Sequence, residues 1–523
     1  MLNFRNYPAI TRVVVPNNVV ISNGERFVGA FNNMRNLTNV QLPMNNIVNM
    51  SNTYKNCVNL VGSAQSGPNV TNMSNTYNNC TNLTTAVCGD NVVGMASTYA
   101  YCTNLTTAVC GPNVNRMYTT YQNCINLTTA VCGDKVVDMS NSYRNCVNLT
   151  SAACGPNVTE MDCTYWNCFK LKNAACGDNV VNMDSTYRDC VGLITAACGD
   201  KVINMYNTYM NCSSLITAVC GSSTVNMLNT YQNCSNLTTA VCGPNVTNMY
   251  HTYNNCINLI NAACGNNVID MVDTYNNCTN LTIAVCGPNV INMYYTYYGC
   301  QNLTTAVCGE NVLNLSRTYF NCTNLSTAIC GNKVIRMDQT YCNCKRLTNA
   351  ACGENVANMY YTYDNCSNLV TAVCGDNVVN MIGAYANCTN LATAVCGNKV
   401  VYMNHTYRNC TNLTTAVCGP NVSFMNSTYS NCYNIQGNAY FYSSNIKNVA
   451  KCFFNRSRFN RLNIYVPAGT TTNTTVHGNY SFSSLIGKDV YWSNAGTYQY
   501  NTTYNVYIYP VDDVAAARAA NGD

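Results

Sequence analysis

The sequence predicts an all-β-dominated solenoid of about eighteen 22-residue coils, capped at both ends, and three observations predict it. Methionine recurs at Met73, Met95, Met117 and Met139 and onward to Met425, 352 residues away in 16 steps of 22, with Leu315 standing in once. Strict short periods mark units that cannot bury an apolar face alone and must stack on their neighbours. Within each unit the apolar residues Leu83, Ala86, Cys88, Val92, Met95, Tyr99 and Cys102 fall at gaps of three, two, four, three, four and three. These gaps suit the inward side of a coil with one short strand and tight corners. Finally, one residue type fills each column: Tyr appears in all eighteen copies, from Tyr54 and Tyr77 to Tyr429.

The elements follow in chain order. Residues 1–49 hold degenerate repeats and charges such as Glu25, Arg26 and Arg35, which suit an N-terminal cap. Repeat ends expose strand edges and core, and so need covering. Residues 50–435 form the regular array, with consensus MxxTYxNCxNLTTAVCGxNVxN. In it MxxTYxxC is too short for a stable helix and predicts a helical or 3₁₀ turn. The strand is centred on the Ala–Val–Cys triplet, with Ala86 and Cys88 on one face and Val87 on the other. Gly89 and its following Asp or Pro close the strand in a turn. Asn columns such as Asn82, Asn104 and Asn126 suit bonds to corner backbone. Residues 436–523 stretch the last coil and then read as short strands, LNIYVP, DVYW and YNVYIYP, ending in an Ala-rich helix. The expected core columns are Met73 and Met95, Tyr77 and Tyr99, Leu83 and Leu105, Cys80 and Cys102, and Cys88 and Cys110.

Cysteine chemistry bears on where the chain is made. Of the 37 cysteines, eighteen form one column from Cys57 to Cys432, sixteen form a second from Cys88 to Cys418, and Cys163, Cys342 and Cys452 stand apart. A zinc-type site wants close CxxC or CxxH sets, which these columns lack, so no metal or other cofactor is expected. A ladder of disulfides between stacked coils is sterically open. Reduced thiols acting as small apolar filler are the other reading. A chain with no export signal, as the start MLNFRNYPAI reads, would keep them reduced in a cytosol.

Function classes narrow by exclusion. Charged residues are 9 % of the chain and the net charge of +5 is scattered, so no basic stripe points to nucleic acid. No apolar run reaches membrane-helix length. No GxSxG, HExxH or phosphate-loop motif appears, so catalysis is not expected. The candidate binding surface is the outward strand column Val87, Val109, Val131, Val219, Val241, Val285, Val307, Val373, Val395 and Val417, an apolar ribbon on the sheet. The opposite orientation, with Val inside and Ala and Cys outside, is the alternative.

The segments ITRVVVPNNV and AFNNMRNLTNVQLP resemble the BspA-type leucine-rich repeats, whose pattern runs AFxxCxxLxxIxIPxxV. Across residues 10–456 the array resembles a shortened form of that family, with Tyr for Phe, Ala and Cys for the strand Ile positions, and Gly for Pro. The resemblance implies a right-handed leucine-rich-repeat-like coil and adhesion rather than catalysis. The closing block, RLNIYVPAG with TYNVYIYPVDDVAAARAANGD, resembles tail-region proteins of tailed bacteriophages. Together these imply a virion-associated structural or adhesion protein assembled in a host cytoplasm, a stiff repeat rod whose partners are other protein chains or a host surface receptor. A secreted bacterial surface adhesin and a self-assembling filament subunit are the alternatives.

Overall fold

The structure is a computed structural model and describes residues 4, 7–16, 27–435, 437–444, 446, 448–449, 451–453, 461–467 and 505–520. Glu25, Arg26 and the DVYW segment lie outside them. The chain divides into two compact units, Met1–Leu259 and Ile260–Asp523, and each is a β-solenoid that turns once per 22 residues.

In the first unit β1 (Arg12–Val14) pairs in parallel with β2 (Asn39–Gln41), and β3 (Gly62–Ala64), β4 (Leu83–Ala86) and β5 (Thr107–Ala108) form a parallel three-stranded sheet. Beyond β5 the ladder thins to single bridges such as Thr129 with Ser151 and Thr217 with Thr239. A second line of parallel bridges runs through the residue before each Met, from Asn49 and Asn72 to Asn226 and Asn248.

The MxxTYxxC segment is not a helix, which corrects the sequence expectation in part. The N–H groups of Met73, Asn75, Tyr77 and Asn79 donate to carbonyls of the next coil, Gly94, Ala96, Thr98 and Ala100, at 2.8–3.0 Å. Between them Thr76, Asn78 and Cys80 donate three residues back, to Met73, Asn75 and Tyr77, at 2.9–3.3 Å. The 3₁₀-type bonds are therefore present but alternate with coil-to-coil bonds. This alternation needs left-handed residues, and Asn75 (φ 55°) and Asn79 (φ 60°) supply them. Asn enters that region more readily than most residues, which explains its near-constant place before the first cysteine column. There it also builds a side-chain ladder: Asn167 Nδ2 donates to Asn145 Oδ1, and Asn233 to Asn211, each at 2.7 Å.

Inside, the Tyr rings stack nearly parallel, with centroids 5.1–5.7 Å apart from Tyr54 to Tyr253. The residue before each Tyr, Thr in nearly every coil, is buried, yet satisfied: Thr98 Oγ1 donates to the Met95 carbonyl at 2.8 Å and to Met73 of the preceding coil at 2.9 Å. The corner glycines admit no side chain. A Cβ on Gly111 would stand 2.6 Å from the Gly89 carbonyl oxygen and 3.0 Å from Cys88 Sγ.

The second unit repeats this plan. β6 (Thr305–Ala306) pairs with β7 (Thr327–Ala328), and the Tyr stack runs from Tyr275 to Tyr429 and on to Phe453. Its end is a parallel sheet in the order β11 (Asn505–Val511), β10 (Arg461–Pro467), β9 (Gly437–Phe441), β8 (Ala416–Cys418). The helix α1 (Val514–Ala520) follows, its first N–H groups at Ala515 and Ala516 capped by Asp513 Oδ1 at 2.8 and 3.1 Å.

Candidate functional site

The Val column is governed by the Tyr hydroxyls. Val131 N–H donates to Tyr143 Oη at 2.9 Å, and that hydroxyl donates back to the Val131 carbonyl. The same clamp holds Val219 by Tyr231, Val241 by Tyr253, Val285 by Tyr297, Val373 by Tyr385 and Val395 by Tyr407. At these six positions the Val N–H and carbonyl are turned to the inside rather than to the preceding coil, and the side chains are half-buried; Val417 carries the same clamp from Tyr429 within the surviving strand β8. Beside β4 and β5 the Val N–H turns to the preceding coil instead. Val87 and Val109 donate to Ala64 and Ala86 of the preceding coil at 3.0 and 3.1 Å, and their side chains are 42 % and 52 % exposed. The Tyr121 hydroxyl, which would clamp Val109, is then buried without a partner. Val307, beside β6, is 39 % exposed.

The predicted ribbon is thus interrupted rather than continuous, and Val417 is a full correction at 6 % exposure. Val417 pairs with Tyr440 of β9, and α1 covers that face, with Arg518 5.8 Å over the Tyr440 ring. The expected core columns Met73, Met95, Tyr77, Tyr99, Leu83, Leu105, Cys80, Cys88 and Cys102 are buried. Cys110 is half-buried, because the second cysteine column lines the rim of the corner.

Filler describes the first cysteine column incompletely. The Cys80 thiol donates to the Tyr54 carbonyl of the preceding coil at 3.0 Å, an oxygen that also accepts from Cys57 N–H. The pattern repeats to Cys432 on Tyr407 at 2.9 Å. Each thiol so satisfies the second lone pair of a buried carbonyl, which Ala or Val could not do.

The surface that varies from coil to coil lies elsewhere, on the turn carrying the x positions of MxxTYx. The sheet column holds mainly Val and Ala, whereas the position five after Met runs through Asn78, Gln122, Arg144, Trp166, Arg188, Met210, Tyr298, Phe320 and Asp364. In the first unit the Trp166 ring lies between the guanidinium groups of Arg144 and Arg188, at 4.0 and 4.7 Å, and its Nε1 donates to Asp189 Oδ2 at 2.8 Å. Asp184 beside them has its carboxyl pKa raised, first by burial and then by Asp162. In the second unit Tyr294 meets Tyr295 edge-on at 4.4 Å, Tyr298 stacks on Phe320 at 4.9 Å, and Arg317 lies 5.2 Å over Tyr295 while its Nε donates to Gln339 Oε1 at 2.5 Å. Tyr360 and Tyr361 continue the patch two coils on. Tyr294 and Tyr360 are exposed, on a surface otherwise rich in Asn, Ser and Thr. The signal was present in the sequence as the variable letters of the consensus, which a search for constant columns passes over.

Of the histidines, His251 and His405 lie on this face, and His477 is outside the described residues. Among the described residues, no three of His, Cys, Asp and Glu converge as a metal-ligand set. Among them too, no helix is long and apolar enough to cross a membrane.

Comparison with known proteins identifies the coil. A search of curated proteins found no match. Solved structures with a similar chain path include a leucine-rich repeat protein from Bacteroides ovatus (14 % identity, 72 % of this chain and 82 % of that one, TM-score 0.35). Another is a leucine-rich repeat protein from Eubacterium ventriosum (14 %, 66 % and 86 %, TM-score 0.29). A leucine-rich cell surface protein from Faecalibacterium prausnitzii is also similar (13 %, 83 % and 88 %, TM-score 0.22). The likeness of the closing block to phage tail-region proteins gains no support from these comparisons. The BspA type leucine rich repeat region matches in six copies over residues 3–128, 98–194, 119–238, 271–390 and 338–461. With the matches spanning well over half of the sequence, this chain belongs to the BspA-type leucine-rich repeat family.

Proposed function

We propose that this chain is a binding protein displayed on a cell surface or secreted, which engages a protein partner through the variable turn face. The observation that carries this reading is the patch of Tyr294, Tyr295, Tyr298, Phe320, Arg317 and Tyr360. Tyr and Arg dominate the binding energy of protein interfaces because they offer large, stiff contact area with a polar end. The Faecalibacterium relative, described as a cell surface protein, is consistent with the location. The virion reading needs the closing block's likeness to phage tail-region proteins, which the comparisons do not support, and is not preferred. The exposed Val87 and Val109 mark a second surface, on the sheet side of the first unit.

The test is adhesion of the purified full chain to a panel of eukaryotic and bacterial cells. A Tyr294→Ala, Tyr298→Ala, Tyr360→Ala variant is expected to lose at least tenfold in apparent affinity, and a Val87→Ser, Val109→Ser variant little. The opposite pattern would move the binding surface to the sheet. Equal binding by both variants would sink the reading.

A further inference from the structure

The second cysteine column keeps company that its sequence spacing hides. Across most glycine corners the thiol meets the thioether of the next methionine: Cys88 Sγ is 3.5 Å from Met95 Sδ, Cys132 3.6 Å from Met139, and Cys198 3.8 Å from Met205. Among the described residues at least fourteen corners hold such a pair, all at 3.5–4.0 Å. Two metal–sulfur bonds of about 2.3 Å, the length at thiolate sites, that open at roughly 100–120° place their sulfurs ~3.5–4.0 Å apart. Between a thiol and a thioether this separation is sulfur–sulfur contact; the straight pair that a two-coordinate d¹⁰ ion takes would put the sulfurs ~4.6 Å apart, so uptake spreads each corner by about 1 Å.

Three further features fit. The methionines are fully buried while most thiols of this column are half-buried, so an ion can arrive through the thiol and finish in an apolar, water-poor corner. Backbone N–H groups stand ready for a sulfur carrying negative charge: Gly177 donates to Cys154 Sγ and Gly287 to Cys264 Sγ, each at 3.2 Å. One corner is naturally broken, because Leu315 replaces Met and leaves Cys308 without a thioether. Zinc is the wrong ion for this set, since thioether ligands select soft metals.

We propose that the Cys/Met corners form a row of sites for soft monovalent d¹⁰ cations, copper(I) or silver(I), each held by one thiolate and one thioether. Binding replaces the thiol proton: the S–H bond breaks, the proton leaves to solvent, and an S–metal bond forms without any change of oxidation state.

The experiment uses the reduced full chain under anaerobic conditions, titrated with silver(I) and, against a chromogenic chelator, with copper(I). About fourteen ions per chain are expected, with an all-sulfur shell at ~2.3 Å by X-ray absorption and an unchanged circular dichroism spectrum. A Met183→Leu, Met205→Leu, Met227→Leu variant, made safe for folding by the precedent of Leu315, is expected to retain three ions fewer. A Cys190→Ala, Cys212→Ala, Cys234→Ala variant in the first column is expected to retain the full number. Undiminished retention in the methionine variant would overturn the proposal. So would loss of the native spectrum on adding metal, or equal retention of zinc(II).

Discussion

A single hydroxyl decides how each coil is tied at the strand. Tyr231 Oη serves both the N–H and the carbonyl of Val219, whereas the Tyr121 hydroxyl is buried with no partner because Val109 bonds to the coil before it. Replacing Tyr by Phe keeps the ring stack in both places and removes only the oxygen. At Tyr231 the change leaves two backbone groups unpaired, and Tyr231→Phe is expected to cost about 1–3 kcal/mol. At Tyr121 it removes an unsatisfied polar atom, and Tyr121→Phe is expected to be neutral or slightly stabilising. Urea midpoints of the two variants, with amide exchange at Val219 and Val109, measure the difference. Equal destabilisation at both sites would mean that the clamp is not what holds the Val peptide.

At the scale of one coil, the corner glycine is set by its neighbour rather than by its own backbone. A Cβ on Gly287 would lie 2.7 Å from the Gly265 carbonyl oxygen and 2.9 Å from Cys264 Sγ, whereas one on Gly94 would meet nothing closer than 3.8 Å. Gly287→Ala is therefore expected to destabilise by about 1–3 kcal/mol through overpacking, and Gly94→Ala to gain up to ~1 kcal/mol by stiffening the unfolded chain. Thermal melts of both variants check the pair, and a tolerated Gly287→Ala would show that the corner can open. The coil was legible in the sequence wherever a column holds one residue type, so the period, the inward Met, Tyr, Leu and Cys columns and the turn after Gly89 could all be read. The alternating backbone of MxxTYxxC was not read, although the constant Asn at the left-handed positions Asn79, Asn123 and Asn145 carried the signal. Where the Tyr hydroxyl bonds, twelve residues along the chain, is something no local pattern reports. The turn face escaped for the opposite reason. Its residues differ from coil to coil, and repetition is silent about them.

Over the whole chain the buried thiols and phenols act together on stability at alkaline pH. Burial pushes the Cys57 and Cys102 thiols up to about 12 from an ordinary value of 9.0 and raises the Tyr column well above 10.0. The unfolded chain releases thiol protons above about pH 9, while the folded chain keeps them until about 12, so the folded state binds more protons in between. Stability is then fully present below pH 9 and falls as pH rises through that window, each buried thiol adding a slope of about 1.4 kcal/mol per pH unit. Because coils are stabilised mainly by their neighbours, unfolding proceeds in blocks, and the slope counts the thiols in a block. The urea midpoint is expected to be flat from pH 7 to 8.5 and to drop steeply between 9 and 11. All 37 cysteines are free in the structure, and counting the titratable thiols of denatured protein from the native source checks whether they stay so where that protein is displayed. A midpoint that holds to pH 11, with few titratable thiols, would mean that the columns are oxidised in the native protein, and the thiol-to-carbonyl bonds of the first column would then have to be replaced by disulfides.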